Sequence, residues 1–290
     1  SGRVDVYTGV SPHGQGTETT MAQIAADELG LPYEDVDVQY NDTLGTPFGY
    51  GTYGSRSAAV GGTALFNAVQ KVKQKALRIG AHMLEASTDD VVYEDGKVSV
   101  KGSPDQAKTI QEIAGAAALG YSLPEGDEPF LDETSYFDPP NTTWPFGTHI
   151  CVVEVEEETG SVKVKKYLTV DDVGNVVNPM IVDGQIHGGI AQGVAQALWE
   201  SGEYDESGQL ISGSLMDYAI PRTDCLPNFE LDRTVTPSPT NPLGVKGVGE
   251  TGTIASTPAV VNAVMDALSP FGVNNLNMPL TSQKIWTAIQ

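Results

Sequence analysis

Glycine is spread unevenly along this chain of 290 residues: the 32 glycines concentrate in a few short segments, with no low-complexity tract among them. Clustered glycine in a chain otherwise rich in strand and helix formers marks places where backbone must turn tightly, meet other backbone or meet a ligand. It does not read as a floppy linker. Four segments stand out, 14–20, 51–57, 183–189 and 244–252.

The stretches between them carry clear periodicities. Val4, Val6 and Val10 mark an opening strand that runs into a loop over 9–16. Met21, Ile24, Ala25 and Leu29 predict a helix over 19–29, stopped by Gly30 and Pro32. Val36, Val38 and Tyr40 alternate as a strand. A long amphipathic helix is expected over 63–84: Leu65, Ala68, Val69, Val72, Ala76, Ile79 and Met83 form its apolar stripe, with Lys71, Lys73, Lys75 and Arg78 largely off it. Residues 91–100 read as a hairpin turning at Asp95-Gly96. A Pro-rich, acidic segment over 125–146 suits a crossover between halves.

The second half predicts strands over 148–155 and 162–170, a small-residue helix over 188–199 and a hairpin around 205–212. It ends in a helix over 258–268, with Thr257 as cap and Pro258 in the first position. Strands and helices in mixed order, with several hairpins, point to α+β and not to a doubly wound parallel sheet. Both halves combine a strand, a glycine-rich turn and a small-residue helix. The expectation is therefore two similar lobes, 1–146 and 147–290, with mixed sheets and packed helices around one ligand.

Charge and cysteine content exclude several functions. Lys and Arg total 16 against 38 Asp and Glu, a formal net charge of −22. Nucleic-acid binding needs a basic footprint, and docking on anionic lipid needs the same. No run approaches the roughly 18 apolar residues of a membrane helix. Two cysteines, Cys151 and Cys225, cannot make a disulfide framework or a cysteine-ligated zinc or iron–sulfur site. A reducing cytoplasm is the simplest setting. The acidity serves solubility, and equally fits a protein from a very salty cytoplasm. The opening Ser1-Gly2-Arg3 reads as a fragment or a processed chain.

Each glycine-rich segment has a chemical reading and an ordinary one. Gly14-Gln15-Gly16-Thr17-Glu18-Thr19-Thr20 lies between a strand and a helix, where amides and the helix N-terminus favour an anion. The third glycine of a dinucleotide fingerprint is missing, and the residues serve equally as a strand-to-helix turn. Gly51-Thr52-Tyr53-Gly54-Ser55-Arg56-Ser57 offers hydroxyls and a guanidinium fork suited to a phosphorylated or polar ring ligand. It reads equally as a surface loop whose arginine pairs a carboxylate.

In Asp183-Gly184-Gln185-Ile186-His187-Gly188-Gly189, Gln185 and His187 could read hydrogen-bonding edges. Metal ligation by His187 is disfavoured, because no second His stands at ligand spacing. Gly244-Val245-Lys246-Gly247-Val248-Gly249-Glu250-Thr251-Gly252 is no P-loop. It carries one carboxylate, Glu250, on a loop almost bare of side chains. Held against a flat cofactor, that carboxylate would be partly desolvated and usable as a base near neutral pH; alone, it reads as a solvent-facing glutamate. His13, His82, His149 and His187 show no metal-ligand spacing, and no nucleophile elbow is present.

The four segments, taken in order, resemble the C-terminal part of the large, molybdopterin-binding subunit of the xanthine dehydrogenase/aldehyde oxidase family, on the branch that includes the aerobic carbon monoxide dehydrogenase large subunit. The resemblance spans nearly the whole chain. It is carried by Gly14 to Thr20, Pro47-Phe48-Gly49-Tyr50 running on through Ser57, and Asn178-Pro179-Met180 with Gly184 to Gly189. Gly213-Ser214-Leu215-Met216-Asp217-Tyr218, Thr236-Pro237-Ser238-Pro239 and Lys246 to Glu250 complete it.

The resemblance implies a cofactor cleft holding molybdopterin, as its cytosine dinucleotide, with molybdenum held by the pterin and by no protein side chain. It implies that Gln15, Gly16 and Thr17 line the pterin or its phosphates, and that Tyr53, Gly54, Ser55, Arg56 and Ser57 cradle the other end. Gln185 and the loop Lys246, Gly247, Val248 and Gly249 would add contacts, and Glu250 matches the general base beside molybdenum. In the CO-oxidising branch, copper joined to molybdenum through sulfur would bind CO. Thr17 stands where the family often has His. The implied partners are the N-terminal part of the same large subunit, with the loop that sets substrate choice, an iron–sulfur subunit with 2Fe-2S clusters, and an FAD subunit. These would assemble as a dimer of heterotrimers.

The resemblance thus predicts a molybdenum hydroxylase acting on CO, an aldehyde or a heterocycle. The rival is a non-catalytic binding or assembly module that kept the fold. A phosphate-binding enzyme unrelated to molybdenum would rest on the glycine loops alone.

Overall fold

A computed structural model describes residues 2–46 and 48–290. Ser1 and Pro47, the latter opening one of the motifs above, lie outside the described residues. The chain divides into two compact units, Ser1–Thr143 with Pro239–Val245, and Trp144–Ser238 with Lys246–Gln290. The architecture is α+β, as expected.

In the first unit, β1 (Val4–Tyr7) and β2 (Val36–Gln39) pair in parallel, Val4 opposite Val36. Parallel neighbours need a crossover, here α1 (Thr17–Leu29), which ends on left-handed Gly30. Its apolar side, Ala22, Ala25, Ala26 and Leu29, closes over Val6 and Val36. A single π turn, Ser57–Gly62, leads into α2 (Thr63–Met83). The predicted stripe is buried at Val69, Ala76 and Ile79, but so is Lys75, at 6% exposure. Gly80 is forced by proximity: a Cβ there would meet the Val98 Cβ at 2.8 Å.

The hairpin β3 (Val91–Glu94) and β4 (Lys97–Val100) forms as read. Asp95 and Gly96 both take positive φ, 46° and 70°, the two-residue turn that matches strand twist. Next come β5 (Ser103–Thr109), on the edge beside β4, and α3 (Ile110–Leu119). Periodicity gave neither. β5 is mostly exposed and contains Pro104, so it lacks alternation; α3 was announced by the capping box Thr109/Glu112.

In the second unit, β6 (Phe146–Val155) and β7 (Val162–Asp172) run antiparallel, and β8 (Phe229–Thr234) joins β7 in parallel, giving a mixed sheet. Against it stand α4 (Pro179–Leu198), α5 (Thr251–Leu268) and the short α6 (Ser282–Ile289). The core holds Tyr167, Ile186, Ile190, Val194, Leu198, Val260, Val264, Leu268 and Ile285.

Both long helices start earlier than expected. α4 begins at Pro179 behind the Asn178 cap, not at 188, so its glycines are helical. α5 begins at Thr251, and Pro258 lies inside it instead of opening it. Tertiary packing overrides the local signal in both. The expected hairpin at 205–212 reduces to one bridge, Tyr204 to Leu210.

Candidate functional site

In the first unit, two glycine-rich loops are laced together by backbone. A Cβ on Gly49 would lie 2.2 Å from the Gly9 carbonyl oxygen, so only glycine fits. The Gly51 amide donates to that same oxygen at 3.2 Å. The Ser11 amide donates to Thr52 Oγ1 at 3.1 Å, and Thr52 and Ser57 share a hydroxyl hydrogen bond of 3.1 Å. The structure therefore brings the 9–16 and 48–57 loops side by side, which spacing could not show.

On this platform Gly16 is the left-handed N-cap of α1 (φ 81°), with no side-chain cap. Thr17 is buried, and Gln15 accepts from the His13 amide. First-turn amides of a helix have no intrahelical partner, and they carry the positive end of the dipole. A Cβ built on Gly14 or Gly54 would meet nothing within 4 Å among the described residues, so the backbone there is open to approach. Gly54 and Ser55 both take positive φ, turning the chain so that the Arg56 guanidinium lies over Tyr53, 5.0 Å from the ring centroid, and near Tyr50 at 5.9 Å. Stacking leaves the in-plane donors of an arginine available.

The second unit holds the other predicted residues. α4 shows two glycine edges with opposite surroundings. Gly189 and Gly193 are pressed against α5, whereas Gly184 and Gly188, flanking Gln185, have nothing within 4 Å of a built Cβ. The Lys246 to Gly249 loop enters from the end of β7. There the Lys246 amide donates to the Val173 carbonyl at 2.8 Å, and Nζ donates to Asp172 at 2.8 Å. Lys246 Nζ also lies 4.6 Å from the Phe146 ring centroid. Gly247 is buried, Gly249 is exposed, and Val248 meets the core.

Glu250 is the N-cap of α5 and is exposed in this chain. Beside it, Thr251 Oγ1 is buried with no hydrogen-bond partner among the described residues.

Other features were not legible from spacing. Asp172 holds Lys246, the Gly174 amide (3.1 Å) and Thr234 (3.0 Å). Its neighbour Asp171 takes the Thr169 hydroxyl (2.6 Å) and His149 Nε2 (3.2 Å), while His149 Nδ1 meets the Tyr167 hydroxyl at 2.8 Å. Two adjacent aspartates closing a strand that alternates lysines with apolar residues were the available signal. Cys151 and Cys225 are free, and burial pushes the Cys151 thiol up to about 11, away from nucleophilic use. The Gly213 to Tyr218 motif folds as a turn locked by Ser214 Oγ to Asp217 (2.6 Å), presenting Leu215 and Met216 to solvent. Among the described residues no group of three or more His, Cys, Asp or Glu is placed to hold a metal, and no helix is long and apolar enough to cross a membrane.

Two of the helices, α1 and α5, start directly on glycine-rich loops, an arrangement that presents backbone amides to an anionic ligand. The chain belongs to the molybdopterin cofactor-binding domain family, whose sequence model matches residues 1–227. Likeness extends past that limit, through Glu250. The chain is 44% identical over 282 residues to the carbon monoxide dehydrogenase large chain of Hydrogenophaga pseudoflava, covering 97% of this chain and 35% of that one. Among solved structures it is similar to a Cu,Mo-CO dehydrogenase (TM-score 0.91, 40% identity, 97% of this chain and 35% of the other). It is similar, too, to quinoline 2-oxidoreductase from Pseudomonas putida 86 (TM-score 0.92, 41% identity, 99% and 37%). The chain thus spans about a third of the length of these relatives.

Proposed function

We propose that this chain is the C-terminal portion of the molybdenum-cofactor-binding large subunit of a molybdenum hydroxylase of carbon monoxide dehydrogenase type, with Glu250 as its general base. The observation that carries the reading is Glu250 itself: a carboxylate at the head of α5, at the end of a loop of two glycines and a valine anchored on β7. A non-catalytic descendant has no need of such an arrangement.

The residues fit a large, polar, anionic cofactor. Glycines 14, 54, 184 and 188 leave backbone open where a Cβ would fill empty space. Arg56, Gln15 and Gln185 supply donors, and the Thr251 hydroxyl, next to Glu250, is buried with no partner among the described residues. Gln15, Gly16 and Thr17 would line the pterin or its phosphates, and Tyr53, Gly54, Ser55, Arg56 and Ser57 would cradle the other end. Gln185 adds a side-chain amide; Lys246, Gly247, Val248 and Gly249 add backbone.

When bound, the cofactor supplies the two-electron redox chemistry. The chain's own contribution is to position it and to take up, at Glu250 Oε, the proton released as oxygen is added to the substrate carbon. The covering that excludes water from Glu250 is assigned to the cofactor and to the N-terminal part of the same subunit. FAD and 2Fe-2S subunits would carry electrons away, in a cytoplasmic dimer of heterotrimers.

Likeness to the CO dehydrogenase and to the quinoline enzyme is equally close. CO, with copper at the site, and N-heteroaromatic rings, without it, are accordingly the two substrate classes to assay. In the assembled enzyme, Glu250→Gln should lower turnover at least ~10²-fold with molybdenum content unchanged. Near-wild-type turnover would remove the base assignment.

A further inference from the structure

Lys246 precedes Glu250 by a loop of three residues, and its ammonium is turned inward. It is 9% exposed, and Asp172, its partner at 2.8 Å, is fully buried. With the Lys246 amide on the Val173 carbonyl, side chain and backbone of one residue are both tied to the end of β7. On the other side of Glu250, Gly252 is pressed onto α4, where a Cβ would come within 2.5 Å of the Ile186 carbonyl oxygen. Glu250 therefore stands on a short span between two fixed points. Glycines at 247 and 249 give that span little stiffness of their own; between the two anchors it is held by Val248 against the core and by the Thr251 amide on the Val248 carbonyl at 3.2 Å.

We propose that Lys246 and Asp172 are positioning residues, an inward ion pair that fixes the loop and with it the place of the Glu250 carboxylate, and that the Lys246 ammonium makes no contact with the cofactor. The inference rests on Glu250 being the base. A buried pair is a costly way to gain stability, because desolvation offsets the attraction, whereas it is well suited to holding one register. Misplacing a proton acceptor by about 1 Å can cost ~10²-fold in rate.

The test uses the assembled enzyme and a neutral, similarly shaped replacement, Asp172→Asn with Lys246→Met, which avoids stranding one charge. The expected result is unchanged molybdenum content and KM, kcat lower by ~10- to 100-fold, and faster amide exchange confined to the 247–251 backbone. Lys246→Arg, which keeps the charge, should retain most of the turnover. Wild-type kcat and wild-type exchange in the double variant would overturn the proposal, as would lost cofactor content or folding with turnover per molybdenum intact. Glu250→Gln, assayed in parallel, reads the base assignment separately: full activity there sinks that assignment, while loop exchange still reports on the anchor.

Discussion

Gly252 of α5 crosses directly over Gly189 of α4, so closely that a Cβ on Gly189 would lie 2.9 Å from the Gly252 Cα. One turn further on, Gly193 faces the Ser256 side chain, whose Oγ would lie 1.7 Å from a Cβ there. Thr253 and Thr257 donate across the crossing to the carbonyls of Gly189 (2.8 Å) and Gly193 (3.1 Å). The two helices thus meet backbone to backbone.

That crossing predicts opposite outcomes for two alanines. Intrinsic propensity favours Ala over Gly in a helix by up to about 1 kcal/mol. At Gly252 that gain is outweighed, because the new methyl meets fixed backbone at 2.5 Å and overpacking costs about 1–3 kcal/mol. At Gly188, with nothing within 4 Å, the propensity gain should stand. Denaturant unfolding should show Gly252→Ala destabilised and Gly188→Ala neutral to stabilised; equal losses would mean the helices do not cross as described.

How much of this was readable beforehand depended on where the reason for a residue lies. The long stripe of α2 and the Asp95-Gly96 turn follow from local periodicity and local φ preference, and both were read correctly. The glycines of α4 broke the helical reading, because glycine inside a helix is unfavourable until a partner helix demands it. Pro258 looked like a start signal, for the same local reason. At the site, ordered motifs identified the loops, but not the Gly9–Gly49 contact or Asp172. Those depend on residues 40 and 74 positions away in sequence.

Buried Asp171 predicts a stability effect separable from the Lys246 anchor. It satisfies Thr169 and His149, and His149 and Asp171 side chains are each only 1% exposed. Asp171→Ala strands both partners, at about 1–3 kcal/mol for each buried group left unsatisfied. Tyr167→Phe removes one hydroxyl from the other side of His149 and should cost about 1 kcal/mol. Urea midpoints should rank wild type, Tyr167→Phe, then Asp171→Ala.

Asp172 predicts the acid limb. Burial pushes its carboxyl up, but the Lys246 ammonium, the Thr236 hydroxyl, the Gly174 amide and the Thr234 hydroxyl outweigh this and hold it at about 2, below the ordinary 3.8. A carboxyl depressed in the folded state contributes stability that is fully present above its unfolded value. The contribution is lost as pH falls through the folded value. The window therefore runs from about 4 down to about 2. Melting temperatures across it should fall less steeply for Asp172→Asn with Lys246→Met than for wild type; parallel slopes would exclude Asp172 as a source of acid lability.

Arg56 offers the sharpest test of the first unit's role. Its guanidinium is stacked on Tyr53 and sits on the loop tied to Gly9, so it is already oriented before anything binds. Lysine keeps the charge but loses the planar fork and the stacking. If this residue grips a phosphate of the cofactor, Arg56→Lys should lower pterin and molybdenum content of the assembled enzyme, and Arg56→Ala should lower it further. Turnover per bound molybdenum should change little in either, because Arg56 binds and Glu250 reacts. Full cofactor content with reduced turnover per molybdenum would reverse that division of labour.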